Sequence, residues 1–184
     1  KNFERAIKSC SGDLIFLSDH DDIWFPNKIE EHVYLHRKNI STLAFTNDCF
    51  ISDQNLNTFG ASKMNNLLSA GHDLRSMVMG CCCSFKKKIL QYALPFPDEF
   101  KCHDNWLCSL ADKMESREFI PKKLQLYRQH GRNTSTYFAN NPKGINLLYR
   151  FKRFFRIFDI KTKDSQKVNS DKILESRIKR DECR

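Results

Sequence analysis

Leu14-Ile15-Phe16-Leu17-Ser18-Asp19-His20-Asp21-Asp22-Ile23-Trp24 is the stretch whose reading decides the fold: four apolar residues run into three carboxylates spread over four positions. Leu14 to Leu17 has the length and composition of a buried strand, covered on both faces as in a parallel sheet. A strand ending in carboxylates puts negative charge at its carboxyl end, the edge where open α/β sheets bind ligands. Like charges this close repel, and burying them without a counter-charge is costly. A hard divalent cation such as Mg²⁺ or Mn²⁺, itself bound to a diphosphate, relieves the repulsion. A plain surface turn accounts for the same residues with no ligand, because Ser and Asp are ordinary turn formers.

Working outward, Asn2 to Cys10 reads as a helix with Phe3, Ala6, Ile7 and Cys10 at helical spacing, broken by Ser11-Gly12-Asp13. Pro26 opens a second helix with Ile29, Val33 and His36 on its inner face. His32 and His36 stand four apart, as metal ligands can, but with no third ligand they read as a partly exposed helix surface. Short strands are predicted over Thr42 to Phe45, Asp48 to Ser52 and Leu56 to Phe59, then a helix over Asn65 to Ser69. Met77 to Phe85 reads as a strand rising toward the site and Lys86 to Tyr92 as a helix. Asp104 to Met114 is a helix that turns Trp106, Leu107, Leu110 and Ala111 inward. Phe119 to Pro121 and Leu124 to Tyr127 are predicted closing strands. The alternation makes the chain α/β. Asn140-Asn141-Pro142 breaks the pattern, dividing a domain over 1–140 from a tail over 141–184.

Composition sets the outer limits. The chain has 184 residues, 40% of them hydrophobic and 29% charged, which suits one domain plus an appendage. No apolar run reaches the roughly 18 residues that span a bilayer, and no signal peptide is visible. The net charge of +9 is uneven: residues 150–184 hold 12 Lys+Arg against 6 Asp+Glu. A basic tail without a reading motif argues against nucleic acid as a partner. Of the eight Cys, Cys81-Cys82-Cys83 are consecutive, a spacing that suits neither zinc nor a disulfide ladder. Free, buried cysteines in a reducing cytoplasm are the expectation.

Ser18-Asp19-His20-Asp21-Asp22-Ile23-Trp24-Phe25-Pro26-Asn27-Lys28 resembles the metal-binding signature of family 2 glycosyltransferases, in particular their rhamnosyltransferase-like branch. Other segments agree in the family's order: Lys1 to Ala6, Gly80-Cys81, Ala93 to Pro97 leading into His103-Asp104-Asn105-Trp106, and Leu126-Tyr127-Arg128-Gln129-His130-Gly131-Arg132-Asn133. The resemblance covers about residues 1–136. The Asp-Asp-Gly-Ser-like segment with which the family opens is missing, so the chain is read as the carboxyl-terminal part of a larger protein. The implied fold is a partial GT-A (Rossmann-like) mixed sheet flanked by helices, with a basic helical carboxyl-terminal tail.

The resemblance also implies roles. Asp19 and Asp21 form an Asp-x-Asp pair, Asp19 facing the nucleotide sugar or metal-bound water and Asp21 ligating Mg²⁺ or Mn²⁺. His130 is an additional ligand, and Arg128 meets a phosphate of the donor. Asp104, at a helix start, is the general base, with His103 positioning it or the acceptor. Asp22, Trp24, Gly80 and Trp106 are candidates for the acceptor side. For Asp22 a turn or cap, for Trp24 and Trp106 core packing, and for Gly80 relief of a tight strand remain open. The implied activity is metal-dependent, inverting transfer of a sugar from a nucleotide-diphosphate donor to a glycan or lipid-linked acceptor hydroxyl, in surface polysaccharide biosynthesis. The alternative is a non-catalytic remnant or accessory module of the same fold. Tyr149 to Ile160 places Phe151, Phe154, Phe155 and Phe158 on one helical face among Arg and Lys. That pattern fits peripheral contact with an anionic membrane at the inner face of the cell membrane, or packing on the catalytic domain. Residues 161–184 read as a loosely held helix or as disordered.

Overall fold

The computed structural model describes residues 2–98, 100, 102–130, 132–133, 140–141, 171–173 and 175–178. The elements run α1 (Asn2–Lys8), β1 (Leu14–Phe16), β2 (Ile23–Trp24), α2 (Lys28–Lys38), β3 (Ala44–Ser52), β4 (Thr58–Ser62), α3 (Lys63–Ser69), β5 (Cys83–Lys86), α4 (Leu90–Ala93), α5 (His103–Lys113) and β6 (Arg117–Arg128). One mixed sheet in the order β1-β5-β3-β6-β2, with β4 paired to β3, organises them. Only β3 and β6 pair in parallel; the other pairings are antiparallel. Helices flank the sheet, as the sequence predicts. Ile7, Ile15, Ile89, Trp106, Leu107 and Leu110 fill one core region, and Leu35 meets Phe45, Ile120 and Leu124 in another.

Several expectations need correcting. β1 pairs antiparallel with β5, so its apolar run reflects burial of Ile15 and Leu17 rather than parallel neighbours. The two short strands predicted on either side of Thr46-Asn47 are one strand, β3, and the two closing strands are one strand, β6. The polar residues and Pro121 that interrupt the apolar pattern mark a bulge, where the register jumps from Asn47 opposite Ile120 to Asp48 opposite Lys123. Pro121 has no N–H to contribute, and a bulge tolerates that loss. The strand over Met77 to Phe85 forms only from Cys83, after a tight turn at Gly80–Cys82. On α1 only Ile7 is buried, and Phe3 and Ala6 are exposed.

The inner face of α2 is also different. His36 is buried as expected, but Lys28 and His32 are buried with it, while Ile29 is 51% exposed. The sheet beneath presents polar groups, and the helix rotates to meet them. Ser84 Oγ lies 2.7 Å from His32 Nδ1 and 2.8 Å from His36 Nε2, and Asn47 Oδ1 lies 3.0 Å from His32 Nε2. Because Asn47 Oδ1 only accepts, His32 carries its proton on Nε2 and accepts from Ser84 on Nδ1. The two imidazoles are therefore structural rather than surface groups. Burial pushes both down to about 4. The unfolded chain binds these protons near pH 6.5, so stability is full above that pH and is lost as pH falls toward 4. The expected loss is on the order of 3 kcal/mol for each histidine. Urea unfolding at pH 7 and pH 4.5 checks it. Asp22, pushed up to about 6, acts in the opposite sense, so a protein no less stable at pH 4.5 would refute the assignment.

Part of the tail is described. Residues 171–173 and 175–178 are helical, and Ile173 and Ile178 pack against the core beside α4 and α5. Arg177 donates to the carbonyls of Leu94 at 3.0 Å and Pro95 at 3.2 Å, and Lys113 pairs with Glu175 at 3.0 Å. The amphipathic stretch 149–160 and the interdomain boundary near 136–144 lie largely or wholly outside the described residues. Among the described residues no helix is long and apolar enough to cross a membrane. The described cysteines are free; Cys49, Cys81, Cys82, Cys83 and Cys108 are buried, and Cys102 is exposed.

Candidate functional site

The strand order determines where the carboxylates go. β1 and β2 lie at opposite ends of the sheet path, so residues 17–22 must cross the ends of β5, β3 and β6 to join them. At the far side the loop is tied to β6. Asp22 Oδ1 accepts from Arg128 N at 3.1 Å, and Asp22 Oδ2 accepts from Gln125 Nε2 at 3.2 Å. Gln125 Oε1 in turn accepts from Lys28 Nζ. The Lys28 ammonium, fully buried, also donates to Cys81 O at 2.5 Å and sits 4.0 Å from the centroid of Trp24. Burial lowers its pKa, and these contacts replace the water it has lost.

Around the crossing loop the acidic groups meet distinct partners. Asp19, Asp22 and Cys81 each offer a ligand atom within 4.8 Å of the others. Asp21 meets a separate partner, its Oδ2 2.9 Å from His130 Nε2. His130 Nδ1 accepts from Arg132 N at 3.1 Å, so Nε2 carries the proton and donates to Asp21. Burial and the nearby Asp21 push the Asp19 carboxyl up. Asp22 is pushed up mainly by burial. For Asp21 partial burial is the largest single influence and acts upward, but the His130 hydrogen bond, a backbone hydrogen bond and the neighbouring His20 and His130 together outweigh it, leaving the carboxyl low. The Cys82 contact and burial hold the Cys81 thiol well above its usual range, so it stays protonated.

Hard carboxylate oxygens suit Mg²⁺ or Mn²⁺, and a cation would relieve the repulsion between Asp19 and its neighbours. A protonated thiol does not suit them. The residues therefore fit a hard cation held by carboxylates, with Cys81 as a hydrogen-bonding neighbour.

The opposite side of the site comes from the turn before β5 and the start of α5. Asp104 Oδ2 accepts from Gly80 N at 3.2 Å, and its Oδ1 accepts from Asn105 N at 2.8 Å. His103 stands beside it, its pKa lowered by burial. A Cβ on Gly80 would come within 3.2 Å of His103 Nε2, so glycine here leaves room for the imidazole. Between the two sides opens a cleft of about 510 Å³, whose lining includes Asp19, Gly80, Asp104, Asn105, Lys63 and Tyr127. Arg117 braces its wall: it pairs with Asp112 at 2.6 Å and donates to Met77 O at 2.9 Å and Arg75 O at 2.7 Å.

The structure thus brings together Asp19, Asp21, Asp22, His130, Gly80, His103 and Asp104. Arg128 reaches the loop through its backbone, and its side-chain Nε is buried without a partner among the described residues. Trp24 is half-buried, with the Lys28 ammonium 4.0 Å from its ring centroid. Trp106 is fully buried and donates Nε1–H to Ala93 O at 2.9 Å, so the structure places it in the core and not on the cleft. Lys28, Gln125 and Cys81 carry parts of the site that sequence reasoning did not assign. Lys28 follows a helix-opening Pro26 by two positions, which would place it in the first turn, but nothing local signals that it points inward. Gln125 shows no signal at all.

No protein-family model matches the chain. The chain is similar to the dTDP-rhamnosyl transferase RfbG of Shigella flexneri, 29% identical over 171 aligned positions that take in 83% of this chain and 53% of that protein. It spans about half the length of that curated relative. The match supports a relationship between this chain and a glycosyltransferase.

Proposed function

We propose that the chain carries the metal-binding loop and the acceptor side of a metal-dependent, inverting family 2 glycosyltransferase of the GT-A type. The observation that carries the reading is the crossing loop, which brings Asp19 and Asp22 together and sets Asp19 in the same cleft as Asp104. Asp19 and Asp21, with His130, are the proposed ligands of Mg²⁺ or Mn²⁺, and His130 joins them only once its hydrogen bond to Asp21 opens; Asp22 braces the loop through Arg128 N and Gln125. When bound, the cation supplies charge to stabilise the departing diphosphate. The unpartnered Arg128 Nε is a donor available to a phosphate oxygen.

Asp104 has both oxygens oriented by backbone N–H groups and takes the proton of the acceptor hydroxyl. That oxygen forms its bond to the anomeric carbon from the face opposite the diphosphate, which leaves with the bonding electrons, so the centre inverts. By likeness to the relative, a dTDP-linked rhamnose is the first donor to try. The acceptor is a hydroxyl of a glycan or lipid-linked glycan. The same reading puts the work at the inner face of a membrane, with the Phe-rich basic stretch 149–160 as the contact.

Asp21→Ala is expected to abolish cation-dependent nucleotide-sugar binding, because it removes both a ligand and the partner of His130. Calorimetric titration with dTDP-rhamnose, with and without Mn²⁺, tests this. Binding that is equally tight in both proteins and indifferent to the cation would refute the proposal.

A further inference from the structure

Phe3 is 38% exposed, on a helix that commits only Ile7 to the core, so core packing does not account for its position. Its ring lies instead against the His103 imidazole, with centroids 3.5 Å apart and planes 13° from parallel. The other constraint on that imidazole is Gly80, whose α-carbon stands so near Nε2 that even a methyl group would crowd it. The Gly80 N–H meanwhile holds Asp104. His103 and Asp104 are the first two residues of α5, where no preceding helical turn supports their side chains.

We infer that Phe3 is a positioning residue: stacked on His103, it fixes the start of α5 so that the Asp104 carboxylate faces the cleft. The inference rests on the reading of Asp104 as the base. A flat aromatic face confines an imidazole in a way an aliphatic side chain of similar bulk does not, because the stack sets the ring's plane as well as its distance. A base displaced by about 1 Å loses as much as 10²-fold in rate. Phe3 therefore acts on turnover and leaves the donor site, on the other side of the cleft, alone.

The test uses Phe3→Leu and Phe3→Tyr in this chain, with two readouts. The first is the NMR position of the His103 ring C–H signals, which the Phe3 ring current moves upfield in the wild type. The second is hydrolysis of dTDP-rhamnose, with water as the acceptor, alongside donor affinity. Phe3→Leu is expected to lose the upfield shift and to slow turnover roughly 10- to 100-fold at unchanged donor affinity. Phe3→Tyr is expected to restore both. Identical His103 signals in the wild type and Phe3→Leu overturn the inference, as does unchanged turnover in Phe3→Leu. If the wild type neither binds nor cleaves dTDP-rhamnose, the functional reading fails separately. The His103 signals then decide the stacking role alone: an upfield shift kept by Phe3→Tyr and lost by Phe3→Leu supports it, and equal signals overturn it.

Discussion

Asp104→Asn is expected to lower sugar transfer by about 10²- to 10⁴-fold, the contribution typical of a positioned general base. The substitution keeps the shape of the side chain and its place at the start of α5. It removes the ability to take a proton, and one of the two backbone N–H groups that now meet Asp104 oxygens then faces an amide nitrogen instead. Donor binding is expected to persist, because the proposed cation ligands lie on the crossing loop. Transfer assays and donor titration on the same preparation separate the two effects. Full transfer activity in this variant would remove Asp104 as the base.

Lys28→Met is expected to destabilise the fold by ~2–5 kcal/mol and to remove cation-dependent donor binding with it. Met replaces the aliphatic stem but leaves Cys81 O and Gln125 Oε1 without the ammonium that now meets them in a fully buried place. Each buried acceptor so orphaned costs about 1–3 kcal/mol. Gln125 also donates to Asp22, so its release loosens the loop that presents Asp19 and Asp21. Lys28→Arg is not expected to rescue the site, since a planar guanidinium with its fixed fork of donors does not reproduce the compact ammonium that meets Cys81 O, Gln125 Oε1 and the Trp24 ring. Urea unfolding and donor titration read both effects. A variant as stable as the wild type would show that the ammonium does not hold the loop.

Much of this was legible where local chemistry and burial agree. The apolar run entering Asp19 to Asp22 announced a strand that ends in a polar loop, and α5 emerged with its four inward residues because its apolar spacing is regular. Reading failed where polar residues are buried. Lys28 and His32 look like a solvated face until Asn47, Ser84 and Gln125 are seen beneath them, and most of those partners lie far away in sequence. Bulges failed for a related reason: Thr46-Asn47 and Pro121 interrupt the apolar pattern and divide it into shorter strands, whereas the backbones of β3 itself and of α3 satisfy Asp48, whose Oδ1 accepts from Cys49 N at 2.8 Å and Met64 N at 3.0 Å. The stack of Phe3 on His103 joins residues a hundred positions apart and leaves no periodic trace.

The path of residues 17–22 has a consequence for assembly. A chord drawn from one rim of the sheet to the other has nothing to lie across until β5, β3 and β6 are in place, and β6 is the last strand among the described residues. The acidic loop is thus among the final pieces to settle, after the most distant pairings have closed. A ligand that binds it binds only the finished molecule, and its affinity is added to folding stability by mass action. On the proposed function, donor binding is therefore expected to gauge global folding as well as chemistry.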